Sequence, residues 1–329
     1  MYEDFLMSNF TNMSTLSNAQ LTTFSDSYIM LSADTKDNVT DLFQPKMGFA
    51  GEQCFINTFG SAGPAKKQTT EHEIAEATVY PIYRRIMYPS SFYERVLLPD
   101  GFTDWKMIAS AKGPSQQRIQ QAMDISRRTE ALTSLFADIT TETVNELTGA
   151  KAMTTVAFPA ANQVAYNYSG DFAQTGQGLT MDKLNKVKKL MFANYVSPMD
   201  GMNEKINVLV DADTWFKFIA ESILVDTTQK IFPHLDSIAM AREAKFIPGT
   251  SYEMLGYNFR FVHGLQADAS GYTRVPVFLN SGMQKGKAVM PLYAFRDQQR
   301  INTNVIQAQE INGFLRVEDE KVYEIKCNN

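Results

Sequence analysis

The side chains that most often carry chemistry are sparse in this chain and poorly grouped. Its three histidines, His72, His234 and His263, stand singly, with no His-x-x-x-His or His-Cys spacing that would set two ligands on one helix face. Cys54 and Cys327 lie at opposite ends of the sequence and form neither a metal nor a redox motif, so reduced thiols are expected. Asp211-Ala212-Asp213 could offer two carboxylates to a hard cation. It follows an apolar strand candidate and opens a helical pattern, however, where a carboxylate serves as an N-cap. Gly176-Gln177-Gly178 and Gly282-Met283-Gln284-Lys285-Gly286-Lys287 carry glycines without the strand-to-helix context of a phosphate cradle, and read as turns. There is no Gly-x-Ser-x-Gly elbow. No metal, cofactor or catalytic residue is assigned.

The elements that would have to position such groups are easier to read. The longest interior run without Gly or Pro is 115–147, entered through Gly113-Pro114 and followed by Gly149. Its apolar residues Ile119, Ala122, Met123, Leu132, Leu135, Phe136, Ile139 and Leu147 recur mostly at spacings of three and four. That predicts a helix over 115–147, capped at Ser115 and about 50 Å long. Such a length needs neighbours alongside. Arg127 and Arg128 sit within it as charge partners, within the subunit or across an interface.

Residues 1–44 lack Gly and Pro and are rich in Asn, Ser, Thr and Met, which predicts an extended arm with one helical segment near Leu21–Leu31. Strand-like segments Glu52–Phe59 and Ala77–Tyr88 flank a polar stretch and predict a long protruding hairpin. Pro81 confines the return strand to a sheet edge or to a ribbon outside the main sheet, and a partner is expected to cover the ribbon. Arg84 and Arg85 lie on that strand. Thr180 opens an amphipathic helix to about Val196, with Leu184, Val187, Leu190 and Met191 on one face and Lys183, Lys186, Lys188 and Lys189 on the solvated one. Ile206–Val210 reads as a buried strand, and the helix after Asp211 carries Trp215, Phe218 and Ile219, an α/β order. A helix near Asp236–Ala244 follows, then strands at Tyr257–Val262 and Val275–Leu279 and shorter ones near Lys287–Met290 and Ile301–Ile306. Gly313–Val317 and Val322–Ile325, joined by Glu318-Asp319-Glu320, predict a terminal hairpin.

With 329 residues, 44% of them hydrophobic, the chain can bury a substantial core as one mixed domain or two interleaved subdomains. A net charge of −5 argues against a dedicated nucleic-acid binder. Met1-Tyr2-Glu3-Asp4-Phe5 is acidic where a signal peptide is basic, and no apolar run is long enough to span a bilayer, so a cytoplasmic protein is expected. A long arm, a long ribbon and no catalytic pattern point to a protein that builds a structure.

The order of parts resembles the major capsid proteins of tailed bacteriophages, whose shell fold is shared with herpesvirus capsid floor domains. The resemblance rests on Phe24-Ser25-Asp26-Ser27-Tyr28, Gly51-Glu52, Tyr83-Arg84-Arg85, Asp104-Trp105-Lys106, Leu255-Gly256-Tyr257-Asn258-Phe259 and Gly313-Phe314-Leu315-Arg316-Val317-Glu318-Asp319-Glu320-Lys321-Val322, and covers nearly the whole chain. It implies an α+β fold with residues 1–44 as N-terminal arm and 45–100 as extended β-ribbon loop. It further implies a peripheral domain over 101–160 and 306–329 with its spine helix at 115–147, and an α/β axial domain over 161–305. The implied function is a major capsid protein that self-assembles into pentamers and hexamers, forming the icosahedral head shell around the phage genome. A cellular encapsulating nanocompartment shell and a soluble α/β enzyme are the alternatives. Further implied are a separate scaffolding protein, no large maturation cleavage, a portal at one vertex, a decoration protein, and packaged double-stranded DNA touched weakly and without sequence specificity. No membrane partner is implied; the expected location is the virion, after assembly in the host cytoplasm. The residues assigned to assembly or packing are Arg84, Arg85, Trp105, Arg127, Arg128 and Arg316, with Trp105 anchoring the start of the spine.

Overall fold

The computed structural model describes residues 37–46, 51–59, 82–97, 112–144, 151–170, 177–194, 196, 204–219, 251–254, 256–289, 293–296 and 304–328. The elements in chain order are β1 (Gln44–Pro45), β2 (Cys54–Phe59), β3 (Ile82–Met87), β4 (Ser90–Leu97), α1 (Lys112–Phe136), β5 (Ile139–Val144), β6 (Lys151–Val156), β7 (Gln163–Val164) and α2 (Met181–Ala193). There follow β8 (Ile206–Val210), α3 (212–219), β9 (Ser251–Met254), β10 (Tyr257–Phe261), β11 (Thr273–Leu279), β12 (Met283–Val289), β13 (Tyr293–Arg296), β14 (Asn304–Arg316) and β15 (Val322–Cys327). The segment Leu21–Leu31, the Phe24–Tyr28 motif, the ribbon tip, Trp105, Gly149 and the helix expected near 236–244 lie outside the described residues.

The chain forms two compact units from alternating segments: Met1–Lys36, Ser91–Ser126 and Ala288–Ile311 in one, Asp37–Ser90, Arg127–Lys287 and Asn312–Asn329 in the other. In the first, β4 pairs with β14, and β13 runs antiparallel to β14 with Tyr293 opposite Gln307. Alternation along β4 turns Phe92 and Val96 inward onto Ile119, Met123 and Ile306.

The second unit is organised on a six-stranded sheet in the order β7-β15-β11-β8-β10-β9. All five residues of β8 are buried, four of them apolar and Asn207 held by amide hydrogen bonds, because both faces of the strand are covered. Val208 and Val210 on one face join Leu184, Val187 and Met191 of α2 and Trp215 and Phe218 of α3. Leu209 on the other joins Phe278, Val322 and the α1 residues Ala131, Leu132, Leu135 and Phe136. Trp215 is fully buried among Tyr252, Phe259 and Phe261, its ring centroid 5.1 Å from that of Phe261. The parallel pair β8–β10 sets Asn207 opposite Asn258, whose Nδ2 donates to Asn207 Oδ1 at 2.8 Å. A slipped register would strand those buried amides. The caps of α2 and α3 form: Thr180 Oγ1 accepts from Lys183 N at 3.3 Å and Asp211 Oδ1 from Thr214 N at 2.9 Å. Gly256, at φ +78°, turns β9 into β10, where a side chain would be strained.

Several expectations are corrected. Helix α1 starts at Lys112, so Ser115 is not its cap, and it ends at Phe136 rather than Leu147. Ile139-Thr140-Thr141-Glu142-Thr143-Val144, rich in β-branched residues, is the strand β5. The return strand of the ribbon is not at a sheet edge: β3 starts at Ile82, beyond Pro81, and lies inside a second sheet, β2-β3-β5-β6, separate from the six-stranded one. The base of the ribbon is therefore completed by strands of its own chain. The C-terminal segments form no hairpin, since β15 lies between β7 and β11 while β14 belongs to another sheet; β14 also extends over 13 residues, where two shorter strands were expected. Residues 37–44 at the end of the expected arm are built into the core, where Val39, Leu42 and Phe43 pack with Phe278 and Phe314. Lys183 is not on a solvated face. It is fully buried, its Nζ donating to Gln177 O at 3.1 Å, to Gly178 O, and to Lys326 O at 3.4 Å.

Candidate assembly surfaces

Two constellations in the second unit bring together most of the arginines singled out from sequence. The first is a buried node at the end of α1. Arg316 is fully buried; its Nη1 donates to Leu135 O at 2.9 Å and Ala137 O at 3.1 Å, the carbonyls left open where the helix stops. Its Nε donates to Asp319 Oδ1 at 2.6 Å, and its guanidinium lies 4.8 Å from the ring centre of Phe158. Arg85 approaches the same carboxylate from β3, with Nη2 to Asp319 Oδ2 at 2.9 Å and Nη1 to Arg316 O at 2.9 Å. Asn162 Nδ2 adds a bond to Asp319 O at 2.5 Å. The node thus ties the ribbon base, the helix end and the turn before β15 to one carboxylate. Burial alone would raise the Asp319 pKa, but the hydrogen bonds from Arg85 and Arg316 outweigh it and hold the carboxyl below its ordinary range.

The second constellation is the outer face of β2-β3-β5-β6. Cross-strand register places Asn57, Arg84, Glu142 and Met153 in one row across the four strands. Arg84 Nε donates to Asn57 Oδ1 and Arg84 Nη1 to Glu142 Oε2, both at 3.1 Å, while Lys151 Nζ reaches Glu142 Oε1 at 3.1 Å. Hydrogen bonding from Lys151, aided by Arg84, outweighs desolvation and lowers the Glu142 pKa. The Arg84 guanidinium also lies 5.4 Å from the ring centre of Phe55. Phe55 and Met153 stay exposed on this face, at 43% and 62%. The opposite face is closed: Cys54, Ile56, Met87 and Ile139 pack with Leu315 and Val317.

Of the remaining predicted residues, Arg127 pairs with Asp37 at 3.3 Å, both side chains buried, and Arg128 is buried. Trp105 lies outside the described residues. Sequence reasoning missed Asp319, Glu142 and Lys183 as partners. The signals available were the Glu318-Asp319-Glu320 turn and a single carboxylate inside a β-branched run. Among the described residues, no group of His, Cys, Asp and Glu is arranged to hold a metal ion, and no helix is long and apolar enough to cross a membrane.

The phage capsid protein family model matches residues 16–329, and the chain belongs to that family. It is therefore a structural protein of the phage head shell, not an enzyme. Among solved structures it is similar to that of Mycobacterium phage Che8, at 13% identity and TM-score 0.60, covering 92% of this chain and 96% of that one. The capsid asymmetric unit of cyanophage Pam1 matches at 14% identity and TM-score 0.61, covering 94% and 97%, and the capsid of Ralstonia phage GP4 at 9% and 0.61, covering 93% and 94%. Identities this low establish a shared fold. No curated protein matches in sequence.

Proposed function

We propose that this chain is the repeating subunit of an icosahedral head, assembling as pentamers and hexamers around packaged double-stranded DNA that it touches weakly and without sequence specificity. Residues 1–44 act as arm and 45–100 as extended loop; 101–160 with 306–329 form the peripheral domain and 161–305 the axial one. The arm reaches neighbours, and Val39, Leu42 and Phe43 at its end anchor it to the subunit's own core. A separate scaffolding protein guides assembly in the host cytoplasm, a portal occupies one vertex, and a decoration protein can bind the outside. Several moderate interfaces of roughly 1,200–2,000 Å² each suffice, because closure makes them cooperate.

The observation that carries this reading is the phage capsid protein family match over residues 16–329. Electron micrographs of the protein co-expressed with its scaffolding partner test it. Closed particles with fivefold and sixfold capsomers are expected, and small soluble oligomers alone would contradict it. Deleting residues 1–30 or 60–75 is expected to leave soluble subunits that no longer close; normal shells from both deletions would defeat the roles given to arm and loop.

A further inference from the structure

Tyr166 and Tyr272, far apart in sequence, stack with ring centroids 4.3 Å apart and planes 13° from parallel. Each is held by its own tight loop. Tyr166 follows β7 in a turn closed by Tyr168 N, which donates to Ala165 O at 3.1 Å. Tyr272 ends a loop in which Asp268 N donates to Tyr272 O at 2.8 Å, and Asp268 Oδ1 accepts from Ser270 N at 2.9 Å and Tyr272 N at 3.0 Å. Lys326 of β15 fixes that aspartate through an ion pair of 3.1 Å, while β7 pairs with the same strand at Glu324 and Ile325. The stacked rings thus join the loop after β7 to the loop before β11, the two strands that flank β15.

We propose that this pair is a site of oxidative modification, at which a one-electron oxidant joins the two rings as a dityrosine staple. Both rings are partly exposed, so an oxidant in solvent reaches them while the loops keep them together. Their hydroxyls are neighbours: hydrogen bonding with Tyr166, ahead of burial and of the charges of Tyr166 and Asp268, raises the Tyr272 pKa. Stacking in that orientation turns the encounter of two radicals into a closure within one molecule. Each phenol gives one electron to the oxidant and its hydroxyl proton to water. The two phenoxyl radicals then join through ring carbons ortho to oxygen, and the hydrogens on those carbons pass as protons to the two oxygens, restoring both aromatic rings. One C–C bond forms, two C–H bonds break, and two electrons and two protons leave. Other tyrosines are committed elsewhere: the Tyr257 hydroxyl donates to Leu184 O at 2.7 Å, and that of Tyr323 accepts from Asn194 Nδ2 at 3.2 Å, both rings being buried.

The test exposes the full chain, in dilute solution, to tris(bipyridine)ruthenium(II), light and persulfate, which takes up the two electrons and leaves as two sulfates. Fourteen tyrosines compete for the oxidant, so selectivity is the readout. The folded chain is expected to gain dityrosine fluorescence, and mass spectrometry should find the peptides carrying Tyr166 and Tyr272 joined with the loss of two hydrogens. In urea, where the loops no longer hold the rings, that product should fall at least tenfold. Tyr166→Phe and Tyr272→Phe each abolish it, whereas Tyr168→Phe retains it. Absence of the product from the folded wild type, equal amounts in urea, or a more abundant intrachain link between other tyrosines would each overturn the proposal. The free subunit carries the pair, so the outcome does not depend on whether shells form.

Discussion

The six-stranded sheet and the four-stranded sheet of the second unit handle the same problem in opposite ways. In the first, β8 is buried residue by residue, with α2 and α3 on one face and the end of α1 on the other. In the second, one face closes over Cys54, Ile56 and Met87, while the other carries an ion-paired row and leaves β6 in solvent. Strands buried on both faces mark the sheet whose stability belongs to the subunit. The half-covered sheet keeps surface in reserve, which suits a protein whose task is completed by its neighbours.

The largest effect expected on free-subunit stability comes from the fully buried aromatic centre. Phe259→Ala should cost about 3–5 kcal/mol in urea denaturation, because it opens a cavity against Trp215. Met153→Ala on the open face should change the same measurement by less than about 0.5 kcal/mol. Equal costs at the two sites would erase the distinction between the sheets.

Next in size is the node that ties the two regions to the helix end. Arg316→Met strips Leu135 O and Ala137 O of a donor and leaves Asp319 with Arg85 alone. A cost of about 2–3 kcal/mol is expected, below the range for a fully buried pair because Asp319 keeps 20% exposure. The node also predicts a pH dependence. Burial pushes Asp319 upward, but the Arg85 and Arg316 bonds hold its folded-state pKa below the ordinary aspartate value of 3.8. Its stabilisation is therefore present above that value and is lost as pH falls through the lower, folded pKa. Unfolding midpoints measured below pH 4 should drop in the wild type, and this part of the drop should vanish in Asp319→Asn. Smaller still, Thr180→Ala should cost about 1 kcal/mol by removing the α2 cap, read as a lower unfolding midpoint.

Local signals carried far in some places and failed in others for identifiable reasons. Thr180, Asp211 and the strand Ile206–Val210 could be placed from sequence because capping chemistry and a concentration of apolar β-formers act within a few residues. The end of α1 was misplaced because Ile139 continues the helical spacing while the β-branched residues around it favour a strand, and the partner β6 that decides between them lies beyond 150. The C-terminal turn suggested a hairpin because nothing local reveals that Arg316 turns into a helix end. Lys183 was assigned to solvent on charge alone, although its ammonium satisfies three buried carbonyls contributed by Gln177, Gly178 and Lys326. Arg84 and Arg85 were singled out as neighbours, yet strand alternation sends them to opposite faces, one into the open row and the other into the node.

Hydrogen exchange on free subunits and on assembled particles would test the central contrast most directly. Amides of β8 and β11 should be protected in both states, whereas those of β6 should exchange quickly in the free subunit and gain protection of tenfold or more in the particle. Equal exchange of β6 in the two states would contradict the account, since the open sheet would then remain open in the shell.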